Sequence, residues 1–263
     1  MQNNMVDPID SLKERGFDIV FQSHAKSILY GEFYAQLLEI CQTLQELSLP
    51  ISEIIGSGGG ETKFTQRLRN ALNDLDWKKH NFEIQKTIDG TPRESISHEV
   101  DHVKYVDGAG VLACEIEWNN KDPFFDRDLE NYKRLHAEGA ISVGIIITRG
   151  LSLQDNIWTA VYQFVVQREI NSFEDLANVG YTPTPKQKAN VLKRVNRNKD
   201  PVPFKDAWVD NFVSNKYGQA TTHWVKLRDR IDRGVGNPCP LLLIGLPYSI
   251  VNLDNDDIDL MEE

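Results

Sequence analysis

Asp101-His-Val-Lys-Tyr-Val-Asp107-Gly-Ala-Gly110-Val-Leu-Ala-Cys-Glu115-Ile-Glu117-Trp-Asn119-Asn120-Lys121-Asp122 decides the reading of this chain. Val100, Val103, Tyr105 and Val106 favour extended backbone, as do Val111, Leu112, Cys114, Ile116 and Trp118. Asp107-Gly108-Ala109-Gly110 between them is a turn signal, because glycine takes positive φ without steric cost. The stretch therefore predicts a β-hairpin. Alternation puts Val111, Ala113, Glu115 and Glu117 on one face, and Leu112, Cys114, Ile116 and Trp118 on the other, core-facing side. Closing the turn pairs residues whose numbers sum to about 217, which sets Asp101 opposite Ile116 or Glu117. Asp101, Glu115 and Glu117 then gather at one end as a hard-cation site.

Asp107 is a rival acid at the turn. It stands roughly 13 Å of strand from Glu115, too far for two oxygens that must each lie within about 2.0–2.6 Å of one Mg²⁺ or Ca²⁺. A blander reading leaves Glu115 and Glu117 facing water on an edge strand. The apolar remainder of that strand, and the donors of Asn119-Asn120-Lys121-Asp122 directly after it, favour contact with phosphates or bases.

His98-Glu99-Val-Asp-His102 also matches His-Glu-x-x-His, which makes a zinc metalloprotease the rival enzyme class. That chemistry needs a helix, where residues i and i+4 share a face about 5–6 Å apart. On a strand the two imidazoles stand roughly 13 Å apart and cannot share one zinc. Tyr105 also occupies the position where the longer zincin motif has glycine.

An acid opening a hairpin, then an apolar strand ending in acid-x-(Lys, Glu or Gln), resembles the PD-(D/E)xK nucleases. The fuller run Cys114-Glu-Ile-Glu-Trp-Asn-Asn-Lys-Asp-Pro-Phe-Phe-Asp-Arg-Asp-Leu129 is similar to type II restriction endonucleases of the BglII and BamHI group, over about residues 56–176. Most of the superfamily has lysine where this chain has Glu117; the BamHI branch has glutamate there.

The resemblance implies an α/β restriction-endonuclease-like core, with a mixed central sheet flanked by helices. It implies a Mg²⁺-dependent, sequence-specific endonuclease leaving 5′-phosphate and 3′-hydroxyl ends, with Mn²⁺ able to substitute and Ca²⁺ inhibitory. Asp101 and Glu115 would hold the metal, joined by Glu61 and the Ile116 carbonyl, and Glu117 would orient or deprotonate the attacking water. Asn119, Asn120, Lys121 and Arg127 would touch DNA beside the scissile phosphate. Gln167-Arg168-Glu169-Ile-Asn-Ser-Phe-Glu-Asp-Leu176 is similar to the segment that carries base-reading residues in BamHI-like enzymes, with helix-end surface the plainer reading of Arg168 alone, and Glu61 is also simply a good first-turn residue for a helix dipole. The expected partners are a palindromic duplex, a second copy of the chain and a DNA methyltransferase in the same host. A DNA-binding module with an inactive nuclease core is the remaining alternative.

The rest of the chain fits around this core. Its 263 residues, 40% hydrophobic, suffice for one large domain, placed at 1–253. Residues 8–48 read as helical, from the spacing of Ile28, Leu29, Phe33, Leu37, Leu38, Cys41 and Leu44. Gly56-Ser-Gly-Gly-Gly-Glu61 leads into a helix with Phe64, Leu68, Ala71, Leu72 and Leu75 on one face. Strands are expected at 82–89, 98–106, 111–118 and 141–148, helices at 125–138 and 153–168, loops with short helices over 178–220, a basic helix at 221–233 and a last strand from Pro240.

Net charge is −10, but residues 184–233 hold twelve Lys/Arg against five Asp. That local excess marks a DNA-reading region, with Arg194, Arg197, Lys199, Thr221, Thr222, His223 and Lys226 as candidates. Residues 254–263 carry six acids and no base and read as a disordered tail. Cys41, Cys114 and Cys239 show no metal spacing and read as buried thiols of a cytoplasmic protein. The first residues lack a signal-peptide pattern, and the Leu241–Val251 run is too short to span a bilayer.

Overall fold

The hairpin lies in a six-stranded mixed sheet. The computed structural model describes residues 7–56 and 61–253; the acidic tail expected at 254–263, and most of the glycine run after Gly56, lie outside the described residues. In chain order the elements are α1 (Pro8–Glu14), β1 (Asp18–Gln22), α2 (Ala25–Gly31), α3 (Tyr34–Gln45), β2 (Leu49–Pro50), α4 (Ile51–Ile55) and α5 (Lys63–Asp74). Next come β3 (Lys78–Ile88), β4 (Thr91–Val106), β5 (Gly110–Glu117), α6 (Phe124–Ala137), β6 (Val143–Arg149) and α7 (Leu151–Gln167). The chain continues through α8 (Phe173–Asn178), α9 (Pro185–Val195), α10 (Phe204–Lys216), α11 (Trp224–Asp232), β7 (Leu241–Leu246) and β8 (Val251–Asn252).

The sheet order is β1-β7-β6-β5-β4-β3. The β5–β6 and β6–β7 pairs are parallel, and the other pairs antiparallel. β6 and β7 are buried along their whole length, as central parallel strands with both faces covered must be.

Two cores form, one on each side of the sheet. Leu112, Cys114, Ile145 and Ile147 point to the larger one, with residues of α3, α5 and α7. Ala113, Ile146 and Leu243 point to the smaller, against Phe125, Leu129 and Tyr132 of α6 and Leu227 of α11. The alternation expected for β5 is therefore the one observed.

Helix α6 carries the strongest constraint on the site. Asp126 in its first turn and Arg134 and His136 in its last complement the helix dipole. The Tyr132 ring lies directly over Gly144 of β6, where an added Cβ would stand 2.4 Å from the ring. The Tyr132 hydroxyl donates to the Ile145 carbonyl at 3.0 Å. This close approach seats α6 low on the sheet and suspends its buried face over β5.

Four expectations need correction. Residues 8–48 are not wholly helical, because β1 is an edge strand there; its five residues are all half-buried, which leaves little alternation to read. Residues 178–220 are more helical than expected. The reciprocal cap of Thr184 and Gln187, with Pro185 in the first turn, starts α9 and could have been read. β4 begins at Thr91 rather than 98, because it pairs with β3 as a ribbon reaching past the core. The basic helix begins at Trp224, since residues 220–222 pair instead with 120–122. Among the described residues no helix is long and apolar enough to cross a membrane. The three cysteines are buried and free, as expected.

Candidate active site

The hairpin register is His102 to Cys114, Val103 to Ala113 and Lys104 to Leu112, a sum of 216 rather than 217. On its other side β4 shifts register against β3 between Val100 and Val103. Both valines are buried in the smaller core, so the chain between them carries one extra residue. That irregularity has a chemical consequence. Asp101 and His102 together line the cleft on the α5 side, and the Asp101 charge still acts on Glu115.

Glu115 and Glu117 face α6 and are each 3% exposed. Above them α6 places Asp128, which is fully buried. His98 of β4 completes the group: one ligand atom each from His98, Glu115 and Asp128 lie within 4.8 Å of one another. Asn131 Nδ2 lies 2.8 Å from His98 Nδ1. Arg127 Nη2 lies 2.8 Å from Asp128 and 3.8 Å from Glu117. Asn120 Nδ2 donates to Glu117 at 2.9 Å.

Burial sets the electrostatics. It is the leading cause that raises Glu115 far above the ordinary carboxylate range, with Asp128, Asp101 and Glu117 adding repulsion. Glu117 is pushed up to about 8, first by burial and then by Asp128, against the opposing bond from Asn120. Asp128 is raised by burial although Arg127 pulls it down. His98 is lowered by burial, then by Arg127 and Arg134. Three carboxylates in a low-dielectric pocket with one guanidinium nearby must take up protons or a cation. Asp128 Oδ2 and His98 Nε2 are buried without a hydrogen-bond partner. The donor set fits a divalent ion.

The α5 side is different. An open cleft of about 620 Å³ holds Glu61, Asp101, His102, Ile116, Asn119 and Asn120. Asp101 is solvent-exposed, 3.7 Å from Lys79 Nζ, which also binds Glu99 at 2.7 Å. Glu61 is paired with Arg69 at 2.6 Å. Asp101 and Glu61 share the cleft with Ile116, while Glu115 and Glu117 share the buried pocket. The two sets still meet at the open end of the β4–β5 hairpin, where the Asp101 charge acts on both Glu115 and Asp128.

The segment after β5 is stitched to residues 220–222. Thr222 N–H donates to the Asn120 carbonyl at 2.8 Å, Asp122 N–H donates to that of Ala220 at 3.0 Å, and Lys121 bridges Thr221. The clamp behind this junction is Arg149, fully buried at the end of β6. Its Nε donates to the Trp118 carbonyl at 2.8 Å, and its Nη atoms to Gln154, Thr221 Oγ1 and the Thr222 carbonyl at 2.6 Å each. Burial lowers its pKa to about 10, which leaves it a cation at neutral pH.

The remaining DNA-contact candidates scatter. Lys121 and Arg127 are exposed beside the carboxylates. Thr222 is fully buried and His223 is 1% exposed, which removes both from base reading. They turn inward because the junction with residues 120–122 and the buried Trp224 pull the chain under the surface. Thr221 is half-buried and bonded to Arg149. Arg194 is held by Asp210 at 2.7 Å. Lys226 is half-buried, beside Asp122 and Asp229, and Arg197 and Lys199 are exposed. Gln167 and Arg168 lie at the far end of α7, about 20 Å along the helix from Gln154.

The motif match at 98–102 fails as a zinc-protease site. These residues are strand, and His102 lines the α5-side cleft while His98 joins the pocket under α6.

No curated protein matches the chain. A family model described as restriction endonuclease BglII/BglIII matches residues 17–246, which include the whole sheet, both carboxylate sets and the Arg149 junction. The chain belongs to the BglII/BglIII restriction endonuclease family and is a type II sequence-specific DNA endonuclease.

Proposed function

We propose that this enzyme hydrolyses phosphodiesters with Mg²⁺, leaving 5′-phosphate and 3′-hydroxyl ends. The observation that carries the reading is the buried Glu115–Glu117–Asp128 set beside a cleft lined by Asp101, Ile116, Asn119 and Asn120. A divalent ion there supplies charge neutralisation at the phosphate and a water of lowered pKa. Asp101 and Glu115 would hold the ion, with the Ile116 carbonyl and Glu61 as further ligands, both residues lining the cleft beside Asp101. Glu117, in lysine's usual place and fixed by Asn120, orients the attacking water and takes up its proton. Lys121 and Arg127 meet the phosphates flanking the cut. Arg197, Lys199, Gln167 and Arg168 serve a longer DNA footprint. Mn²⁺ replaces Mg²⁺ in this scheme, and Ca²⁺ occupies the site without turnover.

The whole described chain acts as one domain, and two copies act on one palindromic duplex, since two-fold protein symmetry matches two-fold symmetry in the site. Digestion of phage DNA tests the reading. Discrete fragments with Mg²⁺ and none with EDTA support it. A smear would show cleavage without sequence choice, and a gel shift with no cutting would show a binding module with an inert core.

A further inference from the structure

The pocket under α6 has two donors that the Mg²⁺ chemistry does not use. His98 offers an imidazole nitrogen, and Asp128 a fully buried carboxylate. Glu115 is only 3% exposed and accepts no hydrogen bond from a described residue, although one of its oxygens belongs to the cluster. His98 Nε2 and Asp128 Oδ2 are buried without partners as well. Hard ions such as Mg²⁺ favour all-oxygen shells with several waters, whereas a nitrogen beside two carboxylates suits first-row transition metals.

We propose that His98, Glu115 and Asp128 form a transition-metal site, distinct from the Asp101 side of the hairpin, for Zn²⁺ or Co²⁺. It rests on the nuclease reading only in sharing Glu115 with it. The ligand atoms, within 4.8 Å of one another, need to close to about 3.3 Å for a tetrahedron of ~2.0 Å bonds. Rotation about the side-chain torsions covers that gap. A water completes the fourth position.

Asn131 supplies the outer support. Its amide faces His98 Nδ1 at 2.8 Å, and by presenting its oxygen it accepts the Nδ1 proton and leaves Nε2 free to ligate. A 2+ ion cancels the charges of Glu115 and Asp128. It also draws Glu115 toward α6, away from Asp101. An ion at this site therefore inhibits Mg²⁺-supported cutting by withdrawing a shared ligand.

The test is binding, read without DNA. Purified full-length chain is titrated with Co²⁺, whose visible d–d absorption reports a low-coordinate nitrogen–oxygen shell, and Zn²⁺ is then added to displace it. Expected is one saturable site per chain, weakened at least tenfold in His98→Ala and in Asp128→Asn. Asn131→Ala is a milder variant that leaves the three ligands in place; it should weaken Co²⁺ tenfold or more through loss of the outer bond. Unchanged Co²⁺ affinity in folded His98→Ala and Asn131→Ala, checked by circular dichroism, overturns the proposal, as does a wild-type chain with no d–d band. Zn²⁺ should also inhibit Mg²⁺-supported cutting with the midpoint of its binding curve, and Asn131→Ala should shift both midpoints together. Inhibition that stays put while binding weakens would refute the shared-ligand step. A chain that binds Co²⁺ but never cuts DNA would instead refute the nuclease chemistry and leave this site standing.

Discussion

The two sides of the hairpin hold the same type of residue in opposite physical states. Under α6, Glu115, Glu117 and Asp128 are withdrawn from water, and all three carboxyls are pushed upward, with burial the largest cause. On the α5 side Asp101 and Glu61 are exposed, each beside a surface cation, Lys79 and Arg69. A charge that water and a lysine already stabilise asks nothing of a ligand. One that is buried without enough counter-charge has stored a preference for a proton or a metal. The difference teaches that burial, more than the number of acids, tells which carboxylates are left with an unmet demand for counter-charge. In the proposed scheme Asp101 is then the solvated acid, beside Lys79, and Glu115 the buried one.

The largest expected effect sets these two acids against each other. Glu115→Gln and Asp101→Asn should each lower Mg²⁺-supported cutting by about a thousandfold or more, the several kcal/mol that an ion contributes to the transition state. DNA affinity in Ca²⁺ should survive both. Their stabilities should diverge. Glu115→Gln removes a buried charge and should stabilise the metal-free chain at neutral pH by about 1–3 kcal/mol, whereas Asp101→Asn should stay within about 0.5 kcal/mol of wild type. Urea denaturation in EDTA separates them, and equal shifts in the two variants would erase the contrast between the faces.

Arg149 ranks next, because it fastens the β5 end of the hairpin to residues 221–222 from behind. Arg149→Lys keeps the cation but cannot reproduce donation to four acceptors at once. It should cost about 3 kcal/mol, as buried acceptors in Trp118 and Thr222 lose a charged partner. A loss under about 1 kcal/mol would mean that the junction holds without its clamp.

Much of this arrangement is legible in the amino-acid sequence. The alternation in 111–118 assigns both faces of β5, and the Asp107-Gly108 turn places the hairpin to within one residue of register. The backbone around Asp101 is not legible, because the register shift between Val100 and Val103 carries an extra residue that no local sequence signal marks. Asp128 could have been found. It falls on the apolar stripe Phe125, Leu129, Tyr132 of α6, where an acid is out of place unless something holds it. Arg149, following the apolar run Val143–Ile147 and Thr148, carries the same kind of signal. The burial of Thr222 and His223 could not be read, since it depends on pairing with residues about a hundred positions earlier.

His223 extends the comparison to pH. It sits buried behind the junction, where burial, Arg149 and Lys226 push its pKa down to about 4, against weaker pull from Asp122 and Asp229. Above pH 6.5, the ordinary histidine value, both folded and unfolded chains hold it neutral. As pH falls from 6.5 toward 4 only the unfolded chain takes the proton, so stability declines across that window. His223→Gln should flatten this acid limb in urea midpoints measured from about pH 7 to pH 4.5. An unchanged slope would show that the ring finds water or a counter-charge.

The smallest effect belongs to the exposed side. Lys79 pairs with Glu99 and Asp101, and all three side chains are more than half exposed. Solvent screening leaves such pairs worth about 0.2–1 kcal/mol. Lys79→Gln should therefore shift the urea midpoint by less than about 1 kcal/mol, and the shift should vanish in about 1 M salt, where the Debye length is about 3 Å. Its more informative readout is catalytic. With its lysine gone, Asp101 meets Mg²⁺ without a competing cation, so the Mg²⁺ concentration giving half-maximal cutting should fall by a small factor. A rise instead would mean that Lys79 contributes more by touching the phosphate than it takes away by screening the acid, and the α5-side cleft would have to be counted as part of the DNA surface.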